Sequence, residues 1–319
     1  MDKLTIFGAT PWGNLGKSIN PNASVDEWAE TAGFDFNIEA QPAMCYDPNT
    51  DKIITYDSKR MLFRSDTQAP LSIVSDKYEI VQPRAVLGFF KELVDQFGFK
   101  LHTAGILHNG KRYWALAEVG ESFRIFGQDS VHSFVSLATA CDGSLATIIS
   151  PTSLRPVCNN MFNYLIRDMK NNGVVKIRHI NEFDKDIAIE KLQTQQFAEF
   201  GEHAVEMAKH KLSDKEAVEF LLRVFGDIPD DQIVDEKVIE ESASARTVKN
   251  VFELYSGTGL GSHLDSAKGT VWGVFNAITE HIDFHRNTRS QDNRLDYSMI
   301  GQGQDTKSLA YSHALKLVA

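Results

Sequence analysis

Two turn signals, Asn109-Gly110 and Asp142-Gly143, constrain this chain more than any other feature. In FKLHTAGILHNGKRYWALAEVG (99–120), Asn109-Gly110 separates two alternating runs. Asn-Gly tolerates the positive φ that a tight antiparallel turn needs at both central positions. SFVSLATACDGSLATIISP (133–151) repeats the pattern around Asp142-Gly143. Consecutive hairpins commit the middle of the chain to an antiparallel sheet. Upstream, RAVLGFFKELVDQFG (84–98) sets Val86, Phe89, Phe90, Leu93 and Phe97 at helical spacing, with Gly98 as a C-cap. DKIITYDSKRMLFRSD (51–66) reads as two short strands joined at Asp57-Ser58, and Pro83 ends an extended segment. LRPVCNNMFNYLIRDMK (154–170) is expected to turn helical from about Val157. The order strand, helix, hairpin, hairpin, helix describes an α+β fold: an antiparallel sheet with helices packed on one face.

Three regions follow. Residues 1–60 form a loop-rich N-terminal segment, 61–180 an α+β core domain, and 181–319 a mainly helical C-terminal region with a polar tail. In the last region Ile189, Leu192, Phe200, Ala204 and Met207 make one apolar stripe. Ser213 and Glu216 have capping-box spacing, and Gly226 closes the helix they open. A third helix is expected over 234–255, and a fourth after the glycine-rich stretch that follows.

The chain has 319 residues, 42% hydrophobic and 24% charged, the balance of a soluble globular protein. No apolar run reaches the roughly 18–20 residues of a membrane helix, and the N-terminus lacks the apolar core of a secretion signal. Cys45, Cys141 and Cys158 have no CxxC spacing, so free thiols in a reducing cytoplasm are expected and a cysteine-built zinc site is excluded. A net charge of −10 argues against coating duplex DNA by bulk electrostatics. The charge is uneven, however: nine Lys/Arg against five Asp/Glu over 100–180, then nine against seventeen over 181–250. The middle can therefore face an anion. The acidic helices read as a solvated face, with a partner surface as the alternative.

YSGTGLGSHLDSAKGTVWGVFNAITEHIDFHR (255–286) holds the most site-like residues. Its glycines follow a helix, and Lys268 stands seven residues after Gly261 and before Gly269. That spacing excludes a GxxxxGK[ST] phosphate loop. His281 and His285 are four apart, so on a helix they share a face and could ligate metal with a carboxylate such as Asp283. The same face carries Val274 and Ile278, which suits histidines bordering a core; Asn276, Thr279, Glu280 and Asp283 are expected on the wet side. No GxSxG occurs, and Cys141 and Cys158 read as packed thiols. In SPTSLRPVCNN, Arg155, Asn159 and Asn160 gather anion-binding donors at an expected helix start. Lys111, Arg112, Tyr113 and Trp114 interleave cations with aromatics, a pattern suited to phosphates and stacked bases. The alternative is a strand whose residues pack and solvate in turn.

RSDTQAPLSIVSDKYEIVQ, AGILHNGKRYWALAEVG, the CDGS turn, LRPVCNN, KGTVWGVFNAITEHIDFHR and IGQGQDTKSLA occur in that order over about 60–310. Together they resemble the DUF932 group of phage- and plasmid-type proteins. The resemblance implies a mobile-element product acting in the cytoplasm of a bacterial host, with no catalytic residues to carry over. A curved antiparallel sheet backed by a helix is also similar to the core of Rad52-type single-strand annealing proteins, which form rings or filaments and need no nucleotide hydrolysis. The expectation is a homo-oligomer that binds single-stranded DNA and promotes annealing in recombination, with no membrane association, cofactor or catalytic group. Lys111, Arg112, Arg124 and Arg155 would hold phosphates, Tyr113 or Trp114 would stack, and Asn159 and Asn160 would contact the backbone. Lys268, Arg286, Arg289 and Arg294 would add further charge. The alternatives are a metal-dependent enzyme using His281, Asp283 and His285, or a module that binds a host protein.

Overall fold

The structure, a computed structural model, describes residues 17–18, 20, 22–157, 160–163, 175–179, 195–226, 228 and 242–319. Strand β1 (Lys17–Ser18) precedes a short helix, α1 (Val25–Ala32), which Ser24 and Glu27 open as a capping box and Gly33 closes at φ 77°. Strands β2 (Ile38–Asp47), β3 (Lys52–Arg64) and β4 (Pro70–Ser75) then form a separate three-stranded antiparallel sheet in that order. Helix α2 (Pro83–Phe97) ends at Gly98 with φ 68°, as its sequence predicts.

The two predicted hairpins supply the centre of a larger antiparallel sheet. Its path runs β1, β5 (Lys100–Leu107), β6 (Arg112–Ile125), β7 (Asp129–Ala140), β8 (Thr147–Arg155) and β10 (Val175–Ile177), and β9 (Asn160–Asn163) also pairs with β8. The first turn is wider than two residues: Leu107 pairs with Arg112, and His108, Asn109 and Gly110 all take positive φ. Alternation along β6 divides the core. Tyr113, Ala115 and Ala117 face the side packed by α2, with Phe89, Phe90 and Leu93. Trp114 and Leu116 face the other side, where Phe134 meets Leu295 and Met299. The fold is α+β, as expected, and the helix bearing Leu295 and Met299 covers part of the second face.

The C-terminal region is helical: α3 (Gln195–Lys209), α4 (Asp214–Phe225), α5 (Ala245–Glu253), α6 (Val271–Glu280), α7 (Gln291–Met299) and α8 (Gln302–Val318). The Ser213–Glu216 capping box forms in both directions. Every residue of α6 is buried, so it is a core helix rather than an amphipathic one. Phe162 on β9 meets Phe275 at 5.3 Å and Tyr311 at 5.1 Å between ring centroids, which ties the sheet to α6 and α8. Among the described residues no helix is long and apolar enough to cross a membrane.

Four expectations change. The part of 1–50 that is described carries α1 and β2 in place of loops. Asp57-Ser58 is no turn; β3 runs through it with an irregularity opposite Pro42/Ala43. Residues 160–163 are strand rather than helix, because consecutive Met161 and Phe162 are buried in the two different core clusters. Only a strand sends neighbours to opposite faces. The polar tail is α7 and α8, whose buried Leu295, Met299, Ala310, Tyr311 and Ala314 anchor them.

Candidate anion-binding cleft

Arg155 is not presented to a ligand. It is 3% exposed and bonds Asp129 through Nε at 2.8 Å and Nη2 at 2.8 Å. Asp129 also accepts from Ser266 Oγ at 2.7 Å and Trp272 Nε1 at 3.0 Å. The glycine-rich stretch closes over this group: Arg155 donates to the carbonyls of Leu260 and Gly261. A Cβ on Gly261 would lie 2.8 Å from Val157 and 3.1 Å from the guanidinium, at φ +71°. The glycine-rich loop thus offers carbonyls to a buried arginine, in keeping with a spacing that excludes a phosphate loop.

Asp283 is committed in the same way. It is fully buried, pairs with buried Lys307 and accepts from the backbone N–H of Met161 at 3.1 Å. Burial pushes its carboxyl up and the Lys307 ammonium down, and their contact opposes both shifts. Among the described residues no three His, Cys, Asp or Glu side chains gather to hold a metal ion. Asn276, Thr279 and Glu280, expected on a wet face, are buried as well.

Tyr113 and Trp114 are each 1% exposed, and the Tyr113 hydroxyl donates to the Val81 carbonyl. Neither ring can stack on a base in this fold. Arg112 is partly buried against Asp296 at 2.6 Å and Ser144 Oγ at 2.8 Å. Lys111 is partly buried, while Arg124, Lys268 and Arg289 are exposed at separate places in the chain. Arg294 is partly buried and reaches the Asp283 carbonyl at 3.4 Å. Asn159 lies outside the described residues; Asn160 pairs through its backbone with Arg155.

Arg286, His281 and His285 do come together, in a cleft of about 1110 Å³ between the C-terminal helices. Arg246 and Lys316 join them as cations, His313 as a third imidazole, and Asp305 is the one carboxylate among the described lining residues. Two helix starts open on it. Ser244, Arg246 and Thr247 come from the N-terminus of α5, and Gln302, Asp305 and Thr306 from that of α8. Neither N-cap residue makes a side-chain capping bond. Partial positive charge at helix N-termini adds to the guanidinium and ammonium groups.

The wall around His281 is wound as a π turn over His281–His285, closed by Arg286 N donating to the His281 carbonyl. His281 is 9% exposed, packs edge-on to Phe225, and its Nδ1 has no hydrogen-bond partner. Burial, with His285 and Arg286 adding to it, pushes its pKa down to about 4. His285 is half-exposed and meets buried Glu280 at 3.2 Å. Arg286 lies over the Tyr297 ring at 4.2 Å and donates to its hydroxyl at 2.6 Å, which leaves a cation–aromatic pair at the rim. Sequence reasoning missed Arg246, His313 and Lys316, which come from helix segments with no local motif.

A family model described as a domain of unknown function (DUF932) matches residues 70–299. The chain belongs to the DUF932 family. The cleft of this DUF932 protein takes Arg246, His281 and Arg286 from the matched segment and His313 and Lys316 from beyond it. No curated protein and no solved structure matches the chain.

Proposed function

We propose that this DUF932 protein binds single-stranded DNA through its phosphates at the C-terminal cleft and promotes strand annealing as a homo-oligomer, without nucleotide hydrolysis. One observation carries the DNA-binding part: a chain of net charge −10 gathers Arg246, Arg286 and Lys316 in one cleft, where Asp305 is the one carboxylate among the described lining residues. Concentrating positive charge in one concave place within an acidic molecule focuses the field on an anion there. At about 1110 Å³ the cleft is at the upper end of small-molecule pockets, roughly 300–1,000 Å³, which leaves room for more than a single phosphate. Phe225 and Tyr297 line it too and supply aromatic surface for bases. Exposed Arg124, Lys268 and Arg289 remain available for outlying phosphates. Annealing, action in the host cytoplasm and assembly rest on the antiparallel-sheet analogy and the family resemblance.

The test is a mobility shift of a labelled single-stranded oligonucleotide by purified protein at low and high salt. A shift at low salt that fades steeply as salt rises is expected. No shift at low salt overturns the proposal.

A further inference from the structure

Among the described residues, most of the exposed large apolar side chains lie far in sequence from the cleft, on the small sheet. Strand β4 pairs with β3 only from Lys59 to Phe63, so residues 43–56 continue as a two-stranded ribbon. Tyr46 opposes Ile53 and Met44 opposes Thr55 on one face; Cys45 opposes Ile54 and Ala43 opposes Tyr56 on the other. Directly opposed residues share a face. Met44, Tyr46, Ile53, Ile54 and Tyr56 are each more than half exposed. Met61 and Ile73, paired on the outer side of the same sheet, are exposed too. These make seven of the twelve exposed large apolar side chains among the described residues.

A two-stranded ribbon is at best marginally stable alone in water. One that meets solvent permanently carries polar residues on at least one face, whereas this one is apolar on both. We infer that the ribbon is an assembly arm that docks on a second copy of this chain. The area suits it: seven such side chains, at roughly 100 Å² each, offer about 700 Å² of apolar surface, close to the ~800 Å² that each partner contributes to a stable interface. The charge suits it as well. Over 38–64, Glu39, Asp47, Asp51 and Asp57 balance Lys52, Lys59, Arg60 and Arg64, so the arm is neutral within a chain of net −10. Two copies can therefore meet through their arms with little of the like-charge repulsion that other faces carry. The inference stands independently of DNA binding at the cleft.

Cys45 is an exposed thiol on the arm and reports its burial without any substitution. The full-length chain is pulse-alkylated over a range of concentrations, and modification of the Cys45 peptide is read by mass spectrometry. Sedimentation velocity is run on the same samples. The expected result is an oligomer whose Cys45 becomes at least several-fold less reactive as concentration rises. An Ile53→Ser/Ile54→Ser variant, checked for an unchanged circular-dichroism spectrum, should sediment as a monomer. A wild-type monomer overturns the inference and leaves the arm to a different partner. Cys45 reactivity that ignores concentration, or a folded variant that still assembles, overturns it too. A monomer that still shifts oligonucleotides removes the arm and the homo-oligomer part of the proposed function and leaves DNA binding at the cleft, whereas an oligomer that binds none removes the cleft and leaves the arm.

Discussion

Replacing Asp129 by alanine should destabilise the protein severely, because it removes the carboxylate that faces the buried Arg155 guanidinium through both Nε and Nη2. Arg155 and Asp129 are 3% and 1% exposed, and Asp129 also satisfies Ser266 and Trp272. Removing one partner of a buried ion pair costs about 3–5 kcal/mol, since the other charge stays desolvated. At ~2 °C per kcal/mol for a chain of this size, the melting midpoint should fall by about 6–10 °C. Thermal unfolding followed by near-ultraviolet circular dichroism reads it, with urea midpoints as a second measure. Replacing both partners by apolar residues, Asp129→Leu with Arg155→Met, should recover only part of the loss, because it removes the stranded charge but also takes the acceptor from Ser266 and Trp272 and the donor from the Leu260 and Gly261 carbonyls. An Asp129→Ala protein that melts within about a degree of wild type would refute this reasoning and return Arg155 to the candidate phosphate ligands.

Three further outcomes follow from the same packing. The folded pKa of His281, about 4, lies below its ordinary 6.5, so the unfolded chain takes up a proton that the folded one refuses. Its contribution should be complete above pH 6.5 and lost as pH falls towards 4, on the order of 3 kcal/mol; urea midpoints measure this slope, and His281→Phe should flatten it. Gly261→Ala should cost at least about 1–2 kcal/mol by thermal melting, because φ +71° and the contacts with Val157 and Arg155 both exclude a methyl group. Trp114→Ala should lower stability by about 3–5 kcal/mol while leaving the salt dependence of oligonucleotide binding unchanged, since the ring sits in the core.

Local signals were legible wherever one turn or one helix decides the structure. Asn109-Gly110, the Gly98 cap and the Ser213–Glu216 box all stand where their chemistry requires. A further capping box, Ser24 with Glu27, was equally readable and was obscured by the turn residues around it. The site residues were less legible, for a physical reason: alternation in a strand assigns neighbours to two faces without saying whether both are covered. Tyr113 and Trp114 look like a binding pair in sequence, and both are buried because α2 covers one face and α7 the other. Arg155 reads as a ligand until Asp129, 26 residues earlier, is seen against it. The cleft unites residues from 224 to 316, and no periodicity joins segments so far apart.

Oligonucleotide binding at the cleft can be read from a salt series of fluorescence anisotropy, comparing wild type with Arg246→Ala/Arg286→Ala/Lys316→Ala. Each neutralised phosphate of a single strand contributes about −0.7 to the slope of log Kobs against log salt, so the three cations account for a slope of roughly −2. The triple variant should lose that much of the slope and keep the wild-type melting midpoint. Equal slopes in the two proteins, or no binding by either, would contradict a phosphate-binding cleft.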